Sequence, residues 1–96
     1  MSGVEFEWDP SKAAANARRH GVSFEEAASA FEDELALVIA DPAHSASEDR
    51  FVLLGMSLAA RLVVVVHCDR SSESVIRIIS ARRATRREAQ QYSKRP

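Results

Sequence analysis

Arg77 sits inside the β-branched segment Val75-Ile76-Arg77-Ile78-Ile79, and after Ser80-Ala81 comes the run Arg82-Arg83-Ala84-Thr85-Arg86-Arg87-Glu88. A guanidinium is planar and carries a fork of donors that matches two phosphate oxygens at once, so arginines set in a strand and at a helix start suit a polyanion, most often nucleic acid. The charge along the chain is polarised in the same sense. Residues 61–96 hold nine Lys or Arg against three acids, a local net of +6, whereas residues 1–60 hold four bases against eleven acids, a net of −7. The formal −1 of the whole chain is therefore a cancellation and says nothing about partners. The plainer alternative is a solvated helix face that serves only solubility.

If the polyanion is RNA, cleaving it without a metal requires that a 2′-hydroxyl lose its proton, that the extra charge on phosphorus be stabilised, and that the leaving 5′ oxygen gain a proton. Strand alternation decides which residues could cooperate. In Arg61-Leu62-Val63-Val64-Val65-Val66-His67-Cys68 the odd positions share one face and the even positions the other. If the aliphatic row Leu62, Val64, Val66 turns to the helices, Arg61, His67 and Arg77 look out together. On that expectation Arg50, Arg61, Arg77 and Arg82 hold the scissile and flanking phosphates, and His67 moves a proton, since an imidazole titrates near about 6.5. Glu48, beside Arg50, is the substitute base. Arg83, Arg86 and Arg87 add RNA affinity, and Trp8 is placed to stack a base, while Phe51 is assigned to the core.

His20 is assigned to a helix C-terminus and His44 to a loop. Three separated histidines without i, i+4 pairing give no metal site, and no cofactor is expected. Cys68 is alone, so there is no internal disulfide, and it reads as a strand residue rather than a nucleophile.

Ninety-six residues make one domain, 1–96, with a single modest core. No apolar run approaches the roughly 18 residues that span a bilayer, and no basic-then-apolar leader opens the chain, so a cytoplasmic protein with no membrane partner is expected. Val4 to Trp8 alternates apolar and acidic residues and reads as a short edge strand. Asp9-Pro10 starts a helix that Gly21 ends, over about Pro10 to His20. Ser23-Phe24-Glu25-Glu26 forms a capping box for a second helix to about Phe31, with Phe24, Ala27, Ala28 and Phe31 on one stripe. Strands follow at Leu35 to Ala40, Arg50 to Leu58, Arg61 to Cys68 and Ser74 to Ala81, the third of these central because it is apolar on both faces. Thr85 to Glu88 is a second capping box, opening a helix to about Tyr92. The pattern predicts an α+β fold: an antiparallel sheet with helices packed mainly on one face, in the order β-α-α-β-β-β-β-α.

The ordered set Phe6-Glu7-Trp8-Asp9-Pro10-Ser11-Lys12, Arg19-His20-Gly21-Val22-Ser23-Phe24-Glu25-Glu26-Ala27, Asp41-Pro42, Glu48-Asp49-Arg50-Phe51, Leu54-Gly55, Ile76 to Glu88 and Tyr92 resembles the BrnT family of bacterial toxins over nearly the whole chain. The resemblance implies a RelE-like fold, a ribonuclease activity that blocks translation, and neutralisation by a co-encoded BrnA-type antitoxin carrying a dimerising DNA-binding domain. DNA would then be reached only through the antitoxin. One departure is the C-terminal helix, where Ala89, Gln90 and Gln91 dilute the basic charge expected of similar sequences. The competing reading is a noncatalytic RNA-binding or antitoxin-coupled regulatory module. A stand-alone DNA-binding protein is weaker, because no helix-turn-helix pattern is present and the basic residues lie partly on strands.

Overall fold

The computed structural model describes residues 4–41, 50–70 and 74–94. Local capping chemistry sets the helix starts. Asp9 Oδ1 accepts from the backbone N–H of Ser11 at 2.8 Å and of Lys12 at 3.3 Å, opening α1, Pro10–His20. Gly21 ends it at φ 69°, a left-handed conformation, with its N–H on Ala17 O at 2.9 Å. Ser23 Oγ accepts from Glu26 N at 3.0 Å and opens α2, Phe24–Ser29. The chain then tightens into a 3-10 turn at Ala30–Glu32, where a continuous helix to Phe31 was predicted. The return arm of the first capping box is also missing, because the Glu26 carboxylate is engaged by Ser57 and Arg61.

Five strands follow the predicted order: β1 Glu5–Glu7, β2 Leu37–Ala40, β3 Arg50–Met56, β4 Leu62–Arg70 and β5 Val75–Arg83, with α3, Arg86–Lys94, at the end. In space they run β1-β5-β4-β3-β2, so the apolar β4 is central and β1 is an edge. β2 to β5 form an antiparallel meander, but β1 pairs in parallel with β5, Phe6 opposite Ile76 and Glu7 opposite Arg77. The sheet is therefore mixed rather than purely antiparallel. Alternation in Val4 to Trp8 marks a strand but carries no direction, and no hairpin links β1 to its distant neighbour.

α1 and α2 cover one face. Val22, Phe24, Ala27 and Ala30 pack there against Leu53, Val63, Val65, Ile78 and Ala81. Phe24 is 1% exposed, a burial that contributes about 2–3 kcal/mol. Gly55 lets the 3-10 turn approach β3, since a Cβ there would lie 3.1 Å from Ala30 O and 3.0 Å from Ala36 Cβ. It is thus the odd row of β4, Val63, Val65 and His67, that faces the helices, the reverse of the expectation. Both rows are aliphatic, so composition could not choose between them, and the even row is also covered. On this far face α3 borders a groove of about 140 Å³ lined by Ile39, Val52, Leu54 and Val64 together with Glu88 and Gln91.

Two features of β5 decide which side chains share a face. Val66 pairs with Ser80 but His67 pairs with Ile78, leaving Ile79 as an extra residue in a bulge. Because of it, Arg77, Ser80 and Arg82, opposite Cys68, Val66 and Val64, all belong to the far face, although their spacing would otherwise divide them. Secondly, β1 pairs only as far as Arg77, so among the described residues the rest of that edge lacks a neighbouring strand. Asn16 on α1 substitutes for one: its Nδ2 donates to Ala81 O at 2.8 Å and its Oδ1 accepts from Ala81 N at 3.1 Å. The same Nδ2 donates to Val22 O at 2.9 Å, and the side chain is buried.

Candidate functional site

The candidate residues separate into four places. Across the far face, backbone register sets Glu7, Arg77, Cys68 and Arg50 side by side on β1, β5, β4 and β3. At about 4.8 Å between strands, Arg50 and Arg77 arise about 10 Å apart, a spacing that suits neighbouring phosphates of one strand. Arg77 Nη1 lies 3.1 Å from Glu7 Oε2, both side chains being more than a third exposed. Cys68 is half-buried between the arginines.

Farther along the same face, Arg82 forms a two-point pair with Glu88, Nη1 to Oε1 at 2.9 Å and Nη2 to Oε2 at 2.8 Å. Glu88 also completes the predicted second capping box, accepting from Thr85 N at 2.8 Å while its own N–H donates to Thr85 Oγ1 at 3.1 Å. The guanidinium, then the Thr85 bonds, hold the Glu88 carboxyl down at about 2, and Arg82 is raised by the same pairing. The helix is held at its other end by Tyr92, whose hydroxyl donates to Asp33 Oδ2 at 2.6 Å.

Arg61 is elsewhere. It immediately precedes β4, where Nε donates to Glu26 Oε2 at 3.0 Å and Nη2 donates to Gly21 O at 2.9 Å. Ser57 Oγ donates to the same Glu26 oxygen at 2.7 Å, so the group ties α2 to the β3–β4 turn. Arg61 beside Glu26 lowers that carboxyl against the opposing effect of burial. Arg83, opposite Val63, belongs to this side too and adds to the field on Glu26. Arg61 was expected to look out beside Arg77, but residue 61 shares the parity of the core-facing row and the fold separates them; Arg83, expected to add RNA affinity, follows Arg82 directly on a strand and so faces the other way.

His67 is in the core. It is 4% exposed, with the Phe31 ring edge-on at 4.8 Å and the Phe51 ring stacked at 5.9 Å. Burial lowers its pKa below the ordinary imidazole value. The expectation that it faces outward beside Arg77 is corrected by the orientation of β4. Trp8 is half-buried, meets Phe24 edge-to-face at 5.8 Å and packs against the core. Arg86 and Arg87 are exposed on the first turn of α3. Glu48 and His44 lie outside the described residues. Among the described residues no cluster of His, Cys, Asp and Glu could hold a metal, and no helix is long and apolar enough to cross a membrane.

The fourth place is a recess between α1 and the uncovered edge of β5, lined by Lys12, Asn16, Arg19 and His20 with Ile79 and Ser80. Sequence reasoning assigned His20 only to a helix end and gave Lys12 and Arg19 no role. The signal was present in their spacing, since positions i, i+4, i+7 and i+8 of a helix lie on one side.

Among the described residues, three helices, a five-stranded mixed sheet and arginines on the sheet face opposite the first two helices define a small α+β domain. Residues 8–88 match the family described as the ribonuclease toxin, BrnT, of type II toxin–antitoxin systems, and the chain belongs to that family. It is also similar to the 1.1 Å crystal structure of the Brucella abortus ribonuclease toxin, BrnT, at 26% identity and a TM-score of 0.68, covering 86% of this chain and 99% of that one. Among curated proteins no match was found.

Proposed function

We propose that the chain is an endoribonuclease toxin that cleaves RNA without a metal, inhibits translation in the cytoplasm and is neutralised by a BrnA-type antitoxin, with DNA reached only through that partner. The match of residues 8–88 to a family of ribonuclease toxins carries this reading. A RelE-like relationship of the fold belongs to the same proposal. The far face supports it with Arg50, Arg77 and Arg82.

These arginines are not equivalent. An exposed single-contact ion pair is worth about 0–1 kcal/mol, so a phosphate can displace Glu7 from Arg77 at little cost. Arg82 is held at two points by a carboxylate that also caps α3. Arg77 is therefore the primary phosphate ligand, Arg50 its neighbour, and Arg82 mainly the anchor of α3. Arg86 and Arg87 extend the basic track. The antitoxin blocks cleavage by covering Arg77 and the α3 border.

The burial of His67 favours a second reading, a noncatalytic RNA-binding or antitoxin-coupled regulatory module, because it takes the expected proton carrier away from the RNA face. Product analysis decides between them. A short RNA incubated with excess protein in chelator should yield fragments ending in a cyclic phosphate or 3′-phosphate, and inducing the chain alone should arrest growth that the product of the adjacent reading frame restores. Salt-dependent binding with intact RNA and normal growth would favour the module.

A further inference from the structure

We propose that the recess between α1 and the uncovered edge of β5 binds a phosphodiester of single-stranded RNA, with Lys12 and Arg19 as its cations and His20 as the group that accepts the 2′-hydroxyl proton. This rests on the ribonuclease reading for its chemistry, while the binding site stands on geometry alone. Asn16 is the fixed point. Its two bonds to Ala81 and one to Val22 hold α1 against β5, so the orientation of that helix face does not depend on loose packing. Lys12 lies one turn before Asn16, and Arg19 and His20 lie one turn after it. All three line a cavity of about 230 Å³ whose other wall is Ile79 and Ser80, at the bulge.

The surroundings select the ligand. Among the described residues three basic side chains border the recess and no carboxylate does, so an anion is favoured. The wall at Ser80 lies on the open edge of β5, and the Ser80 side chain belongs to the same sheet face as Arg77 and Arg82. At about 3.3 Å per residue, Arg77 and Ser80 are separated by less than about 10 Å along β5, the reach of one to two nucleotides. One RNA strand can therefore engage Arg77 on the far face and pass round the open edge of β5 into the recess on the α1 side, an arrangement that an isolated inorganic anion would not need. The recess also supplies a histidine at the surface, since His20 is exposed whereas His67 is enclosed.

In the step proposed, the His20 imidazole takes the 2′-hydroxyl proton as the O2′–P bond forms. The P–O5′ bond breaks, and the leaving 5′ oxygen takes a proton from water. The imidazolium then releases its proton to the hydroxide produced, leaving a 2′,3′-cyclic phosphate and a 5′-hydroxyl. Lys12 and Arg19 stabilise the extra negative charge on the phosphoryl oxygens, the need that guanidinium and ammonium groups meet best.

Two measurements test this on the full chain. Binding is read by fluorescence anisotropy with a labelled 2′-O-methyl RNA, which cannot be cleaved through its 2′ oxygen, and chemistry by single-turnover cleavage of the matching RNA at saturating protein. The double variant Lys12→Ala/Arg19→Ala should weaken binding at least about tenfold and make its salt dependence shallower by about two phosphate contacts. His20→Ala should bind nearly as the parent does and cleave about 10²- to 10⁴-fold more slowly. His20→Asn serves the same purpose if the alanine variant misfolds by circular dichroism. If the parent cleaves and all these variants bind and cleave as it does, the recess is overturned and the ribonuclease reading stands. If the parent binds through Lys12 and Arg19 but never cleaves, the ribonuclease reading and the role of His20 fall together while the phosphate site survives. A parent that neither binds nor cleaves RNA overturns both.

Discussion

Asn16 and Ala81, 65 residues apart in sequence, exchange two hydrogen bonds, so that a side-chain amide on α1 occupies the place of a missing strand beside β5. Removing it leaves a buried N–H and two carbonyls, those of Ala81 and Val22, without their partner. Each unsatisfied buried group costs about 1–3 kcal/mol, and partial rescue by water lowers the sum, so Asn16→Ala should destabilise the domain by about 2–4 kcal/mol. Urea unfolding measures the loss. Amide exchange locates it: Ala81 should lose protection while Val65, in the central strand, keeps its own up to the global limit.

This contact also marks the boundary of what the sequence could reveal. Caps are local, so Asp9-Pro10, Gly21 and the Thr85–Glu88 box gave the ends of α1 and the start of α3 directly. Facing is not local. With Val63 and Val65 on one side of β4 and Val64 and Val66 on the other, nothing in the pattern says which row meets the helices, and that choice decides whether His67 is a surface base or a core residue. The bulge at Ile79 is equally silent, although it brings Arg77 and Arg82 to one face. The ion pairs of Arg61 and Arg77 join elements 35 and 70 residues apart, beyond any spacing rule.

Arg61 is a structural clamp, and its loss should appear in stability rather than in chemistry. Glu26 is held below its ordinary value of 4.5, first by the Arg61 hydrogen bond, and its side chain is only 12% exposed. A carboxylate lowered by folding contributes stability that is complete above its unfolded value and is lost as pH falls through the folded one. Arg61→Ala should therefore lower the melting temperature near neutral pH, and parent and variant should converge as pH drops below about 4.5. Folded Arg61→Ala protein should cleave RNA at the parent rate, and a large loss of single-turnover rate would return Arg61 to the site.

His67 makes the opposite kind of pH test. Burial lowers its pKa from 6.5, so the folded state prefers the neutral ring. Its contribution is complete above about 6.5 and is lost as pH falls, because the unfolded chain takes up the proton first. Replacing the ring by leucine should remove this part of the pH dependence, read as a flatter plot of unfolding free energy between about pH 6.5 and pH 5. Cleavage by the folded variant should persist, whereas a base at this position would cost about 10²-fold or more.

Arg77 and Arg82 stand on the same face of one strand, but their partners predict different failures. Glu7 meets Arg77 at a single contact, whereas Glu88 grips Arg82 at two points and caps α3 with the same carboxylate. Arg77→Ala removes a guanidinium on β5, between β1 and β4, that positions the strand entering the recess, and should slow single-turnover cleavage by roughly 10²-fold, the order lost when a reacting group is misplaced. Arg82→Ala should act first on α3. With the guanidinium gone, the Glu88 carboxyl should rise from about 2 towards its ordinary 4.5, and the first turn of the helix should exchange its amides faster. Arg87→Ala, on the exposed turn of α3, should leave the saturated rate intact while making the salt dependence of binding shallower by about one phosphate contact. The discriminating comparison is therefore rate at saturating protein against α3 amide exchange. A rate loss confined to Arg82→Ala, with Arg77→Ala cleaving normally, would move the phosphate ligand from the β1 side of the sheet to the border of α3.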